Sequence, residues 1–73
     1  MTQLPIISGS DAVRTFEKVG WVVARQRGSH VILTKHGRRA NLSVPQHKAL
    51  DPGTIRGLIR DAGMSVSEFV SLI

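Results

Sequence analysis

The chain has 73 residues, no cysteine, and ten Lys and Arg against five Asp and Glu, which gives a formal net charge of +5. The length predicts one small domain over residues 1–73, and the lack of cysteine excludes disulfides and thiolate metal sites. Seven of the cations are arginine, whose guanidinium group binds phosphate through a fixed pair of donors. The charge therefore favours a nucleic acid, or an acidic protein competing for the same surface, over a merely basic surface.

The first predicted element is a helix that begins after Ser8 and ends at Gly20. The Ser8 hydroxyl can cap free N–H groups, and the charge of Asp11, three residues later, suits a helix N-terminus. Glycine favours the left-handed conformation that closes a helix. The apolar positions at helical spacing are Ala12, Val13, Phe16 and Val19. Upstream of this helix the sequence has no basic stretch followed by a long apolar segment, so we expect no signal peptide, no membrane span and a cytoplasmic protein.

Three strands follow, and they predict an antiparallel sheet. Gly28-Ser29 is a two-residue turn with glycine first, as a type II′ turn requires. Residues 36–39 form the second turn, and Pro45 ends the third strand because it has no N–H to donate. The predicted strands are residues 21–27, 30–35 and 40–44.

Two further helices complete the predicted order α-β-β-β-α plus a short C-terminal helix. Asp51 and Pro52 are typical of a helix start, and Ser65 with Glu68 forms a capping box. Arg56 and Arg60 share an exposed face. The predicted inward side chains are Ile55, Leu58, Ile59, Ala62, Val66, Phe69, Val70 and Ile73. This α+β layout, a three-stranded sheet packed on helices, resembles a double-stranded-RNA-binding domain.

A tight turn at Gly28-Ser29 fixes which side chains share a face of the sheet. It sets Arg27 opposite His30, and it also predicts the pairs Arg25–Ile32 and Val23–Thr34. The predicted basic face holds Arg25, Arg27, His30 and Thr34, with Trp21 and Ile32 beside them. The predicted core face holds Val22, Ala24, Val31 and Leu33.

A histidine among arginines has a chemical use. Imidazole exchanges a proton near neutral pH, and RNA carries its own nucleophile in the 2′-OH. A base at His30 with cations around the phosphate would suffice for metal-free transesterification. The alternative is that His30 is a strand residue that packs beside a turn.

The other two histidines carry less information. His36 lies in a predicted turn, and His47 is either a second proton donor or a loop anchor, the anchor being favoured. The three histidines lack metal-ligand spacing, so we expect neither a metal site nor a cofactor. The sequence also has no phosphate-binding P-loop, no paired carboxylates and no serine triad signal.

Three motifs in order resemble the HicA toxins of bacterial and archaeal toxin–antitoxin systems. They are residues 25–30 (RQRGSH), residues 44–47 (VPQH) and residues 52–63 (PGTIRGLIRDAG), and the opening residues 8–21 resemble the family as well. The resemblance covers about the whole chain and implies the double-stranded-RNA-binding-domain fold. It also implies a ribonuclease that cleaves messenger RNA with a single catalytic histidine, which maps onto His30. A HicB antitoxin would bind the toxin and mask its active surface.

The leading hypothesis is therefore a metal-independent endoribonuclease toxin, monomeric when free and hetero-oligomeric with its antitoxin. Residues expected to bind RNA or set the turn are Arg25, Arg27, Gly28, Ser29, Lys35, Arg38 and Arg39. A non-catalytic RNA-binding module would use the same basic face and treat His30 as one more contact. A third hypothesis is an interaction protein whose basic face binds an acidic partner.

Overall fold

The computed structural model describes residues 3–73, and within them three helices pack against one three-stranded antiparallel sheet. The helices are α1 (Gly9–Glu17), α2 (Pro52–Asp61) and α3 (Val66–Leu72). The strands are β1 (Val22–Arg27), β2 (His30–Thr34) and β3 (Leu42–Pro45), in the spatial order β1-β2-β3. The predicted α+β architecture is confirmed.

The helices begin where their capping residues predict. Ser8 and Asp11 form a reciprocal capping box on α1, and Ser65 and Glu68 form another on α3. The Asp51 carboxylate accepts from two N–H groups of the first turn of α2. Each cap pairs backbone donors that a helix start would otherwise leave unsatisfied. No helix among residues 3–73 is long and apolar enough to span a membrane.

The core lies between the sheet and the helices. The rings of Phe16 of α1 and Phe69 of α3 pack against each other at a centroid distance of 5.1 Å and a tilt of 51°. From β2 and β3 the core takes Val31, Leu33, Leu42 and Val44. The alternation of buried and exposed residues along β3 shows that this face of the sheet is the covered one.

The predicted register of the β1–β2 hairpin is correct near the turn and wrong farther from it. Arg27 pairs with His30 and Arg25 pairs with Ile32, as predicted. A bulge between Val23 and Arg25 then shifts the pairing, so that Val23 lies opposite Leu33 rather than Thr34. One extra residue in one strand moves every later side chain to the other face.

The bulge explains two corrections to the predicted core. Val22 pairs with Thr34 and is 61% exposed, and Ala24 is exposed at the bulge, so neither belongs to the core. Trp21 precedes β1 and is buried in the core rather than on the basic face. A third correction concerns Ile73, which is 48% exposed because it follows the last turn of α3.

Candidate functional site

The hairpin that joins β1 and β2 is the centre of the candidate site. Gly28 has a φ of +58°, and Ser29 has no positive φ, which is the pattern of the predicted type II′ turn. The Gln26 side-chain amide donates to the Gly28 carbonyl at 3.1 Å and ties the turn to β1. His30 is the first residue of β2, so the turn determines the position of the His30 backbone.

The register brings His30 and two arginines to one face, which we call the outer face because it points away from the core. His30 lies directly across from Arg27, and Ile32, two residues along β2, lies across from Arg25. Directly opposed residues have Cβ atoms about 5 Å apart. Ile32 is buried on this face, outside the core cluster.

The three polar side chains of this face are available to a ligand. His30, Arg25 and Arg27 are all exposed, and within residues 3–73 their side chains form no hydrogen bond or ion pair. Two guanidinium groups therefore face solvent beside an exposed imidazole. The arrangement provides a proton acceptor next to two anion-binding groups.

A second loop braces the hairpin from the β3 side, a contact that the sequence does not predict. The Gln46 N–H donates to the Ser29 carbonyl at 2.6 Å, and Pro45 pairs with His30. The Gly9 N–H of α1 in turn donates to the His47 carbonyl at 2.9 Å. These contacts fix the backbone at Ser29 and His30.

Gly9 is needed for that bracing because two backbones meet there. A Cβ added to Gly9 would lie 2.1 Å from the Pro45 carbonyl oxygen, so another residue at this position would separate α1 from the end of β3. The signal for this in the sequence is a glycine in the first turn of a capped helix, where it lowers helix propensity without an evident local reason.

Other predicted RNA-binding residues lie elsewhere. Lys35 and Arg38 follow β2 at the end of the sheet opposite Gly28, and Arg39 is exposed beside them. The Arg38 guanidinium donates to the Asp61 carbonyl at 2.8 Å and lies against Gly63, at the C-terminus of α2. The structure thus does not bring these cations together with His30.

Within residues 3–73, no hydrogen bond joins His36 or His47 to His30. His36 is exposed in the turn that follows β2, and His47 is exposed while its carbonyl serves as an anchor for α1. Within residues 3–73 no three His, Cys, Asp or Glu side chains form a group that could hold a metal ion.

The comparisons with known proteins agree with the sequence motifs. The family model described as "HicA toxin of bacterial toxin-antitoxin" matches residues 9–64, which include α1, the whole sheet and α2. No curated protein matches the chain significantly. Among solved structures, a chain of "Toxin-Antitoxin complex from Streptococcus pneumoniae" is similar, with a TM-score of 0.70 and 29% identity, covering 80% of this chain and 98% of that one. Because the family model spans most of the chain, this protein belongs to the HicA toxin family of toxin–antitoxin systems.

Proposed function

We propose that this toxin is a metal-independent endoribonuclease that cleaves messenger RNA in the cytoplasm, with His30 as its catalytic residue. The observation that carries the proposal is the hairpin register, which sets His30 opposite Arg27 on an exposed face. An imidazole in this position reaches an RNA strand that lies across the outer face. The two guanidinium groups supply the phosphate contacts.

The chemistry is a transesterification within the RNA. His30 takes the proton of a 2′-OH, the 2′-oxygen attacks the adjacent phosphorus, and the bond from phosphorus to the 5′-oxygen breaks. The resulting imidazolium returns its proton to the departing oxygen. The products are a 2′,3′-cyclic phosphate and a 5′-hydroxyl, and the step requires neither a water molecule nor a metal ion.

Arg25 and Arg27 support this step by electrostatics. Negative charge accumulates on the non-bridging oxygens as the fifth bond to phosphorus forms, and fixed cations stabilise it most where they are already in place. Neither guanidinium has to leave a protein partner within residues 3–73 to reach the phosphate. Gly28 and Ser29 position the histidine through the turn, and the Ser29 hydroxyl is available to the phosphate.

The same face is the proposed target of a HicB-type antitoxin. The similar structure comes from a toxin–antitoxin complex, and a chain of net charge +5 suits a partner with acidic side chains. Free toxin is proposed to be monomeric, and the bound form a hetero-oligomer in which the antitoxin covers His30.

The test compares the wild-type chain with His30→Ala and with Asn41→Ala as a matched surface control. Purified proteins are incubated with messenger RNA in buffer that contains a chelator. Loss of a general base lowers the rate about 10²- to 10⁴-fold, so we expect cleavage by wild type and by the control, and almost none by a folded His30→Ala.

Two results would contradict the proposal. Equal cleavage by wild type and His30→Ala would remove the catalytic role of His30. RNA that is bound in a salt-sensitive way but stays intact with wild type would favour the non-catalytic RNA-binding module.

A further inference from the structure

Within residues 3–73, no strand pairs with the outer edge of β1. β1 is the terminal strand in the order β1-β2-β3, and all six of its residues are exposed. Val22 and Val23 are 61% and 43% exposed, which makes them two of the large apolar residues that the fold leaves to solvent. Natural edges of this kind either are protected against pairing or serve as binding sites for another strand.

The part of this edge that has regular pairing, away from the bulge, belongs to the β1–β2 hairpin that carries His30. Arg27 and His30 close a two-residue turn and form a hydrogen-bonded pair, so the next pair, Gln26 and Val31, is a non-hydrogen-bonded one. The N–H and C=O groups of Gln26 therefore face away from β2, toward the edge where no strand of residues 3–73 pairs. A strand added here would bond to the backbone within one residue of Arg25 and Arg27.

The charge of β1 selects the kind of strand that can pair with it. Two guanidinium groups on a six-residue strand, with the bulge at Ala24, disfavour pairing between two copies because four like charges would meet in one short ladder. A strand with acidic side chains opposite Arg25 and Arg27 and an apolar side chain against Val22 would complement the edge. The same strand would neutralise the cations that the proposed reaction needs.

We propose that the antitoxin inhibits this toxin by adding an extended acidic segment to the β1 edge, as a fourth strand beside Arg25, Gln26 and Arg27. This inference rests on the proposed function, since it assigns how the antitoxin engages the same site. Inhibition then follows from two effects: the guanidinium groups lose their free charge, and the added strand blocks the path of RNA along that side of His30.

Amide hydrogen exchange of the toxin, free and bound to its purified cognate HicB-type antitoxin, tests the backbone pairing. The Gln26 amide should exchange quickly in the free chain and at least about tenfold more slowly in the complex, because it gains a hydrogen-bond acceptor. An unchanged Gln26 amide in a complex that no longer cleaves RNA would overturn strand addition and leave the nuclease proposal intact.

A charge pair at Val22 tests the acidic character of the partner. Val22→Glu and Val22→Lys remove the same apolar contact, but only glutamate repels an acidic strand, so antitoxin affinity should fall about tenfold more for Val22→Glu. Ile6→Glu, at a site that is 80% exposed and outside β1, is the control and should bind normally. Equal affinities of the two Val22 variants would contradict an acidic occupant.

The remaining outcomes identify other occupants or another failure. Protection of Gln26 that grows with the concentration of free toxin but is not produced by antitoxin would assign the edge to a second copy. Protection by RNA in His30→Ala but not by antitoxin would assign it to the substrate. Both overturn the inference. A free wild-type chain that fails to cleave RNA instead refutes the proposed function, whatever the state of the Gln26 amide.

Discussion

Arginines at the two ends of the sheet have opposite surroundings. At the hairpin end, Arg25 and Arg27 point from β1 into solvent, and their side chains have no partner within residues 3–73. At the other end, Arg38 donates to the Asp61 carbonyl and packs over Gly63. Arginine side chains are thus free where a ligand is proposed to bind, and one is bonded within the fold at the other end of the sheet.

Helix C-termini account for the second use. Lys18 donates to the Leu72 carbonyl at 2.6 Å near the end of α3, as Arg38 does at the end of α2. The last carbonyls of a helix lack intrahelical donors and carry partial negative charge, which attracts cations. A net charge of +5 therefore overstates the charge available to RNA, because part of it serves the helices.

Among the arginine variants, the largest effect on RNA binding should come from removing the two arginines of β1 that have no partner within residues 3–73. In a His30→Ala background, which keeps the RNA intact, Arg25→Ala with Arg27→Ala should weaken RNA binding and leave the unfolding midpoint unchanged. Each phosphate contact with single-stranded RNA contributes about 0.7 to the slope of log affinity against log salt, so the slope should fall by about 1.4. Binding titrations over a range of salt concentrations measure it.

The matched control is Arg38→Met, which removes one guanidinium but keeps its apolar stem. If Arg38→Met lowers the salt slope by about 0.7, the value for one phosphate contact, Arg38 also binds RNA. The distinction between free and engaged arginines is then wrong, and the RNA path extends over both ends of the sheet.

For the free energy of unfolding, Arg38 should matter more than the arginines of β1. Arg38→Met should lower the free energy of unfolding by about 1 kcal/mol, because the α2 C-terminus loses a charged donor. Arg39→Met, which alters an exposed neighbour, should change it by far less. Urea unfolding of both variants measures the difference, and equal stability of the two would show that the bond from Arg38 to Asp61 contributes nothing.

The sequence predicted the parts of the fold that local chemistry determines. The caps at Ser8, Asp51 and Ser65 depend on residues three positions away or fewer, and the register at Arg27 depends on the two turn residues. No residue type at Ala24 predicts the bulge, and the one indication was that the unbulged register put Trp21 on the basic face, whereas the structure buries it in the core. The misplacement of Val22 followed from that one missing feature.

In the candidate site too, contacts between neighbours in the sequence could be predicted and long-range contacts could not. His30 and its two arginine neighbours follow from the turn, whereas the bond from Arg38 to Asp61 joins residues 23 positions apart and the bond from Lys18 to Leu72 joins residues 54 apart. The brace at Gln46 is also a long-range contact. Such partners depend on how the helices pack, which the spacing of residues along the chain does not reveal.

The smallest effect concerns Arg14, a cation that is paired but remains on the surface. Its guanidinium contacts the Asp11 carboxylate across one turn of α1, and Asp11 also closes the capping box with Ser8. Hydrogen bonds with Ser8, then the charge of Arg14, hold the pKa of Asp11 below its usual value of 3.8. An exposed ion pair of this kind contributes little to stability, so Arg14→Met should change the unfolding midpoint less than Arg38→Met does.

The lowered pKa of Asp11 fixes the sign of its pH dependence. Ionised Asp11 is favoured in the folded state, so its contribution is present above pH 3.8, the ordinary value, and is lost as the pH falls through the lowered folded-state pKa. Asp11→Ala should therefore be less stable than wild type at about pH 7 and should approach it at about pH 2 in urea unfolding. A stability difference that stays the same at both pH values would mean that the carboxylate charge is irrelevant. The start of α1 would then depend on the Ser8 hydroxyl and on the close contact of Gly9 with Pro45, which is the contact that also braces the hairpin.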